Sequence, residues 1–396
     1  MQIDSACSVT KGIYQTYPSD WTIIELGNLL KKVRKPVEVI PDYNYQQIGI
    51  RSHGKGLFYK EPVKGSDLGN KSVFWIEEDC LIINIVFAWE QAVAITTSQE
   101  KGMIASHRFP MWQPEGKVDL NYLHKFFLTP LGRHLLDLAS PGGAGRNKTL
   151  GQDDFNKTLV CIPQKIEEQK KIVEILSTWD NAIQIKEQLI GEKNHQKKWL
   201  MQNLLTGKKR LPGFSGKWAE YEYEDTLSTV SVKKYQINSS KYLKRGKYPV
   251  VDQGKQLIVA FSNDENKVFS CPYDGIIIFG DHTRELKYID FDFVLGADGT
   301  QVLTAINNNC TRFVYYQLGI KEIPNTGYNR HFKFIKEMSF LLPPLREQIA
   351  IAKILATADQ EINLHEAQLD ELKNQKKALM QLLLTGIIRV NIQEVS

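Results

Sequence analysis

The sequence predicts a mixed α+β protein: two globular domains and two long antiparallel coiled-coil helices, related by an internal pseudo-two-fold repeat. Three observations lead there. At 396 residues, 42% hydrophobic and 24% charged, the chain is long enough for two ordinary folded domains plus connecting structure. Sliding the sequence against itself by 179 positions lays Glu168 to Leu211 over Glu347 to Val390 with 21 of 44 residues identical, far more than chance gives. Within both copies the apolar positions recur at alternating spacings of four and three, which is the seam of a coiled coil.

The first seam runs Ile172, Leu176, Trp179, Ile183, Lys186, Ile190, Lys193, Lys197, Leu200 and Leu204. Its repeat runs Ile351, Leu355, Ala358, Ile362, His365, Leu369, Leu372, Lys376, Leu379 and Leu383, so the two seams are expected to face each other. About 40 residues per helix gives roughly 60 Å at 1.5 Å per residue. Gly207 and Gly386 read as C-terminal stops, and Pro343-Pro344 as the start of the second helix. The first copy departs here, with Ile162-Pro163-Gln164. Trp179, Trp199 and the Leu and Ile positions read as packing residues. The lysines Lys186, Lys193, Lys197 and Lys198 read as a solvated face, with a patch for phosphates or an acidic partner as the alternative.

The segments before the helices share an order of features. Trp21 and Trp218 open them, and Glu78-Asp79-Cys80-Leu81-Ile82-Ile83 aligns with Tyr273-Asp274-Gly275-Ile276-Ile277-Ile278. Apolar runs bounded by Gly, Asp and Pro read as short strands, and Tyr122 to Leu128 and Phe313 to Leu318 as helices. The expected division is a domain over 1–160, a helical spacer over 161–211, a domain over 212–341 and a helical spacer over 342–396.

Several classes are disfavoured. The longest apolar stretch, Leu81 to Trp89, is broken by Asn84 and is far short of the roughly 20 residues of a membrane helix. Met1 to Asp20 lacks the apolar core of a secretion signal, so a cytoplasmic location is expected. The five cysteines are widely spaced and never form a C-x-x-C pair, so reduced thiols are expected and no metal site. The net charge of +5 favours polyanions only slightly, and each domain is nearly neutral, so charge alone does not point to a ligand. Gly142 to Thr149 imitates a phosphate-binding loop, but Asn147 stands where that loop needs glycine. No Asn-Pro-Pro or Asp-Pro-Pro core of an amino-methyltransferase occurs, and Asp281-His282 and Asn329-Arg330-His331 have no companion cluster at metal-ligand spacing. No catalytic residue is expected.

What remains are polar, glycine-rich loops in both domains. Arginine can bond guanine bidentately, and asparagine or glutamine can do the same with adenine, so such loops suit base-edge readout. The first domain offers Arg51, His53 and Lys55, then Arg108 beside Ser106 and His107, then Arg146, Asn147 and Lys148. The second offers Gln253, Lys255, His282, Thr283, Arg284, Tyr328, Asn329, Arg330 and His331. Most basic and hydroxyl groups among them would hold phosphates and a minority would reach bases. Each loop taken singly also reads as a solvated turn. Asp281 reads as structural, capping a turn or pairing with Arg284.

Further phrases complete a resemblance: Leu342-Pro343-Pro344-Leu345-Arg346-Glu347-Gln348 with Ile354-Leu355, the paired Leu-Leu-Thr-Gly endings, and Tyr248-Pro249-Val250-Val251-Asp252-Gln253-Gly254. With Ile278-Phe279-Gly280-Asp281-His282-Thr283-Arg284 and Gly327-Tyr328-Asn329-Arg330-His331-Phe332, the chain resembles the specificity subunit of type I restriction-modification systems over nearly its whole length. The resemblance implies two target-recognition domains, each reading half of a split site in double-stranded DNA, with the helices setting the gap. It implies docking of two methyltransferase subunits that use S-adenosylmethionine and of motor-nuclease subunits that use ATP and Mg, with no cofactor in this chain. The competing readings are a self-sufficient DNA methyltransferase or nuclease, and a coiled-coil scaffold carrying two heads.

Overall fold

The structure, a computed structural model, describes residues 17–69, 72–142, 148–296, 299–327 and 329–392, and the backbone alone of 7–10 and 13–15. The chain divides into two compact units, Met1–Ile185 with Leu369–Ser396, and Lys186–Gln368. Each unit therefore takes one globular domain, half of the first long helix and half of the second.

In the first unit an antiparallel sheet is ordered Val93–Ile95, Leu81–Ile83, Met111–Pro114, Leu30–Val33. Trp21–Glu25 pairs with Leu159–Pro163, the segment that leads into the first long helix. Helices Leu120–Phe127 and Pro130–Leu138 start where Asp119 and Thr129 accept hydrogen bonds from the backbone amides of Tyr122 and Gly132, and proline fills the first position of the second helix. The core joins Trp21, Trp112, Tyr122, Phe126 and Phe127 to Ile172 and Leu176 of the first long helix and Leu383 and Leu384 of the second.

The second unit repeats the plan. Its antiparallel sheet is ordered Leu227–Thr229, Thr300–Ala305, Ile276–Gly280, Leu286–Ile289. The unbroken run Ile276-Ile277-Ile278-Phe279 is buried throughout, as a strand covered on both faces requires. A second, mixed sheet adds Ala260–Ser262, Tyr248–Val251, Phe293–Leu295 and Val268–Phe269. Ala219–Glu222 pairs with Ser339–Leu342 as Trp21–Glu25 pairs with Leu159–Pro163. The core gathers Phe313, Tyr316 and Phe340 with Leu204 at the end of one long helix, Leu205 just after it, and Ile351 and Leu355 of the other.

The long helices span Ile166–Leu204 and Leu345–Leu384, 39 and 40 residues. They begin at repeat-related positions, so the sequence departure at Ile162-Pro163-Gln164 leaves the helix start unchanged. Gly207 and Gly386 follow their ends at φ of 69° and 73°, a conformation glycine adopts without strain. The helices run antiparallel inside each unit, as the repeat-related contacts establish. In the first unit Lys376 pairs with Asp180, and in the second Lys197 pairs with Asp359. Arg389 bonds Glu168 at 2.8 Å, and Arg210 bonds Glu347 at 2.6 Å. Gln169 and Gln348 both return a side-chain amide to the carbonyls of Pro163 and Pro343, at 2.9 and 2.8 Å. Lys186 meets His365 at 2.9 Å, two equivalent positions facing each other, as an antiparallel pairing of copies requires at its midpoint.

The seam lysines correct an expectation. Lys186, Lys193 and Lys197 are half-buried, and each has a polar partner on the facing helix: Lys193 reaches Glu361 at 2.6 Å and Lys186 also reaches Gln368 at 2.6 Å. They form a polar seam rather than a solvated face. Trp199 is corrected as well, since it lies 48% exposed with the Lys209 ammonium 4.5 Å from its ring centroid.

Glu168→Ala removes the buried half of its ion pair, leaving Arg389, which is partly solvated and still paired with Asp20, less fully compensated, so the cost should be about 2 kcal/mol. Thermal melting should fall by about 5 °C or more. Glu174→Ala, which breaks the exposed Lys171–Glu174 pair, should move it by about 1 °C or less.

Candidate nucleic-acid interface

In both units the candidate loops gather on the turn that follows one central strand. Leu81–Ile83 gives way at Asn84, whose side-chain oxygen accepts from the Val86 amide at 3.2 Å, and the chain then turns through Ala88–Glu90 to Gln91. The loop Arg51 to Lys55 docks on this turn: His53 and Gly54 amides donate to the Glu90 and Gln91 carbonyls at 2.7 and 3.0 Å, and the Ser52 hydroxyl donates to the Glu90 carboxylate at 2.9 Å. A side chain at Gly54 would meet Leu128 at 2.4 Å, which fixes how closely that loop lies. The loop Ser106 to Arg108 reaches the same turn through the Arg108 carbonyl, which accepts from Ile85 at 3.0 Å. Leu150, just after Lys148, donates to the Ile85 carbonyl at 2.9 Å.

On this platform Arg51, His53, Lys55 and Arg108 are exposed. Arg51 also donates to the Leu57 carbonyl at 2.7 Å and lies 5.2 Å from the Phe58 ring centroid, so its guanidinium is oriented. Lys148 is engaged internally, paired with Asp137 at 2.6 Å and 5.9 Å from the Trp89 ring centroid. Arg146 and Asn147 lie outside the described residues. Sequence reasoning missed Lys32 and Arg34. They line, with His107, Phe109, Met111 and Gln152, a cavity of about 190 Å³ beside the Arg108 loop. Among the described residues neither Lys32 nor Arg34 forms an ion pair, whereas neighbouring Lys35 is neutralised by Glu77 at 2.8 Å. The signal was the run Lys31-Lys32-Val33-Arg34-Lys35, four cations on and just after the edge strand Leu30–Val33.

In the second unit Ile276–Gly280 leads into the turn Gly280 to Arg284, closed by an Arg284 amide bond to the Gly280 carbonyl at 2.8 Å with Arg284 at φ 62°. Asp281 is nearly buried and ties three loops together. Its amide donates to Gly299 at 2.7 Å, its carboxylate accepts from Phe332 at 2.8 Å, and its carbonyl accepts from the His331 amide at 2.9 Å. Its role is structural, as expected, but the partner is the Phe332 amide. The Arg284 guanidinium instead donates to the Ile323 carbonyl at 3.3 Å.

Thr283 donates to the Gln253 carbonyl at 2.5 Å, bringing in the loop that carries Lys255. Gln253, His282, Thr283, Arg284, Asn329 and Arg330 thus lie on loops tied to one turn. Lys255, Thr283, Asn329 and Arg330 are exposed, and Gln253, His282 and Arg284 are half-buried. Tyr328 lies outside the described residues. His331 is fully buried, with Nδ1 2.9 Å from the Asp281 carbonyl and Nε2 3.3 Å from the Thr326 amide. Those partners require a proton on Nδ1 and an accepting Nε2, a neutral ring that holds the loop in place. His331 therefore positions its neighbours and presents no side chain to solvent.

The family model of the type I restriction modification DNA specificity domain matches twice, over residues 18–192 and 216–374. The chain belongs to that family. Its role is DNA recognition as a specificity subunit, a function distinct from catalysis. It is 25% identical to the type I restriction enzyme MjaX specificity subunit of Methanocaldococcus jannaschii, over 94% of this chain and 95% of that one. The MjaVIII specificity subunit of the same organism is 23% identical over 94% of both chains. The fold is shared with the HsdS subunit of Thermoanaerobacter tengcongensis, at TM-score 0.52 and 17% identity over 95% of this chain and 99% of that one. The type I S subunit of M. genitalium matches at TM-score 0.59 and 15% identity over 94% and 97%. Among the described residues of this specificity subunit, no helix is long and apolar enough to cross a membrane.

Asp281→Ala leaves the Phe332 amide without its acceptor and should cost about 1–3 kcal/mol. Amide hydrogen exchange should accelerate over residues 329–336 while the strand Ile276–Gly280 keeps its protection, and uniform protection in the variant would show that Asp281 ties nothing.

Proposed function

We propose that this specificity subunit reads a bipartite site in double-stranded DNA, one half per globular domain, with 1–160 and 212–341 as the recognition domains. The observation that carries the reading is the convergence, made twice on equivalent strands, of Arg-, Lys-, Asn- and Gln-bearing loops on one rigid turn. Direct readout needs such side chains held in fixed geometry, because bidentate bonds to base edges tolerate little misplacement. Exposed Arg51, His53, Lys55, Arg108, Lys255, Asn329 and Arg330 are the contact set of first choice, with Gln253, His282, Thr283 and Arg284 behind them. Arg146, Asn147, Tyr328 and, after a rearrangement of its ion pair, Lys148 complete the set.

The helical segments 161–211 and 342–396 set the gap between the half-sites and receive two methyltransferase subunits, through which restriction subunits join. S-adenosylmethionine, ATP and Mg are used by those partners, in the cytoplasm. Support for helices as a ruler comes from their lengths and from the ion pairs that lock their register within each unit.

The deciding experiment maps N6-methyladenine across the genome of a methylation-free host expressing this chain with its cognate methyltransferase subunit, against the methyltransferase alone. A split motif should appear only when the chain is present, and its absence from an active, soluble complex would overturn the reading. Arg330→Ala should relax preference at a few positions of one half-site by about 1–3 kcal/mol and leave the other half unchanged. Deleting one heptad from each helix, residues 183–189 and 362–368, shortens the pair by about 10 Å and keeps the seam in phase. The gap should shrink by about three base pairs while both half-site sequences persist.

A further inference from the structure

The strand Leu286–Ile289 alternates between half-buried and buried positions, so Lys287 stands on its inner face, where Ile289 is apolar. Lys287 is only 6% exposed. Burial pushes its ammonium below the usual lysine range, opposed by the charges of Asp252 and Glu285. A buried ammonium is costly unless its protons find acceptors. Its acceptors here are two backbone carbonyls of a single loop: Nζ donates to Asp252 at 2.8 Å and to Gln256 at 2.5 Å.

Those two carbonyls bracket Gln253-Gly254-Lys255. The bracketed segment is restrained from three further sides. The Asp252 carboxylate accepts from the Gly254 amide at 2.8 Å, Thr283 holds the Gln253 carbonyl at 2.5 Å, and the Gln253 side chain lies so close over Gly299 that a β-carbon there would come within 2.8 Å of it. An apolar residue at 287 would suit the burial of that strand face, but it could not bind two carbonyls. We propose that Lys287 is a positioning residue for sequence readout: it holds the Asp252–Gln256 loop so that Gln253 and Lys255 meet DNA in one geometry. This rests on the reading of that loop as part of the DNA interface.

The test compares methylation motifs written by the complex carrying wild-type chain, Lys287→Met, Lys287→Arg, Thr283→Val or Gln253→Ala, with the melting temperature of each complex measured in parallel. Lys287→Met and Thr283→Val should relax the same positions of one half-site that Gln253→Ala relaxes. Discrimination there should fall by about tenfold or more, while the other half-site stays sharp. Lys287→Arg, which keeps a buried cationic donor, should retain most of the preference. If Gln253→Ala relaxes the motif and Lys287→Met melts lower yet writes the wild-type motif, Lys287 is structural only and the proposal falls. If Gln253→Ala also leaves the motif intact, it is the reading of the loop that fails. Should Lys287→Met not assemble, Lys287→Gln decides, because its amide can donate to one of the two carbonyls but not both: partial relaxation of the Gln253 positions supports the proposal, and a wild-type motif overturns it.

Discussion

Everything else in the architecture depends on a carboxylate buried at the first turn of each long helix. Glu168 and Glu347 are almost wholly removed from water, and each is met by an arginine that follows the end of the other helix, Arg389 and Arg210. Both contacts are two-pronged, with both carboxylate oxygens engaged, the geometry in which a guanidinium gives direction as well as energy. The same arginines take further partners, Asp20 for Arg389 and the Gly216 carbonyl for Arg210. A buried charge tolerates no slippage, so this one interaction, made twice, forces each unit to be assembled from segments distant in sequence.

Between those anchors, within each unit, polar contacts interrupt the apolar seam positions and share in holding the helix pair. An all-leucine seam would pack in several registers, whereas charged and hydrogen-bonding groups at seam positions are satisfied in one. The Asp180 carboxylate binds Lys376 across the seam and Lys125 of its own globular domain at 2.8 Å. Asp359 does the same with Lys197 and with the Tyr316 hydroxyl, at 2.6 Å for the latter. The Tyr316 phenol is pushed far above its usual range, by burial first and then by that carboxylate. Each of these aspartates therefore couples the helix pair to a globular domain within its unit.

The candidate interface obeys the same economy of placement. Loops that must carry exposed cations cannot pack cores of their own, and in both units they borrow rigidity from a turn that continues a fully buried strand. Backbone amides and carbonyls, not the candidate side chains, make most of the ties, which leaves those side chains available to solvent. His331, Asp281 and Lys287 are polar side chains buried to hold their neighbours, and Arg51, Ser52, Thr283 and Arg284 add side-chain ties from less buried positions.

The repeat, the helix lengths and stops, the seam positions and the family were legible in the sequence, because identity at an offset of 179 and heptad spacing are local, periodic signals. Polar, glycine-rich composition singled out the loops proposed as the interface. Neither composition nor periodicity could show which loop residues face solvent: His331 and Arg330 are neighbours in the chain, yet one is fully buried and the other exposed. Nor could they show that Lys186, Lys193 and Lys197 spend their charge inside the molecule, because the acceptors sit on a helix more than a hundred residues away. Lys32 and Arg34 were missed for the same reason, since a cationic edge strand becomes part of a candidate surface only when His107 and the Arg108 loop fold against it. Periodicity records which elements form, whereas the partner of each charge is fixed by antiparallel pairing and close packing, which bring together residues that no local pattern connects.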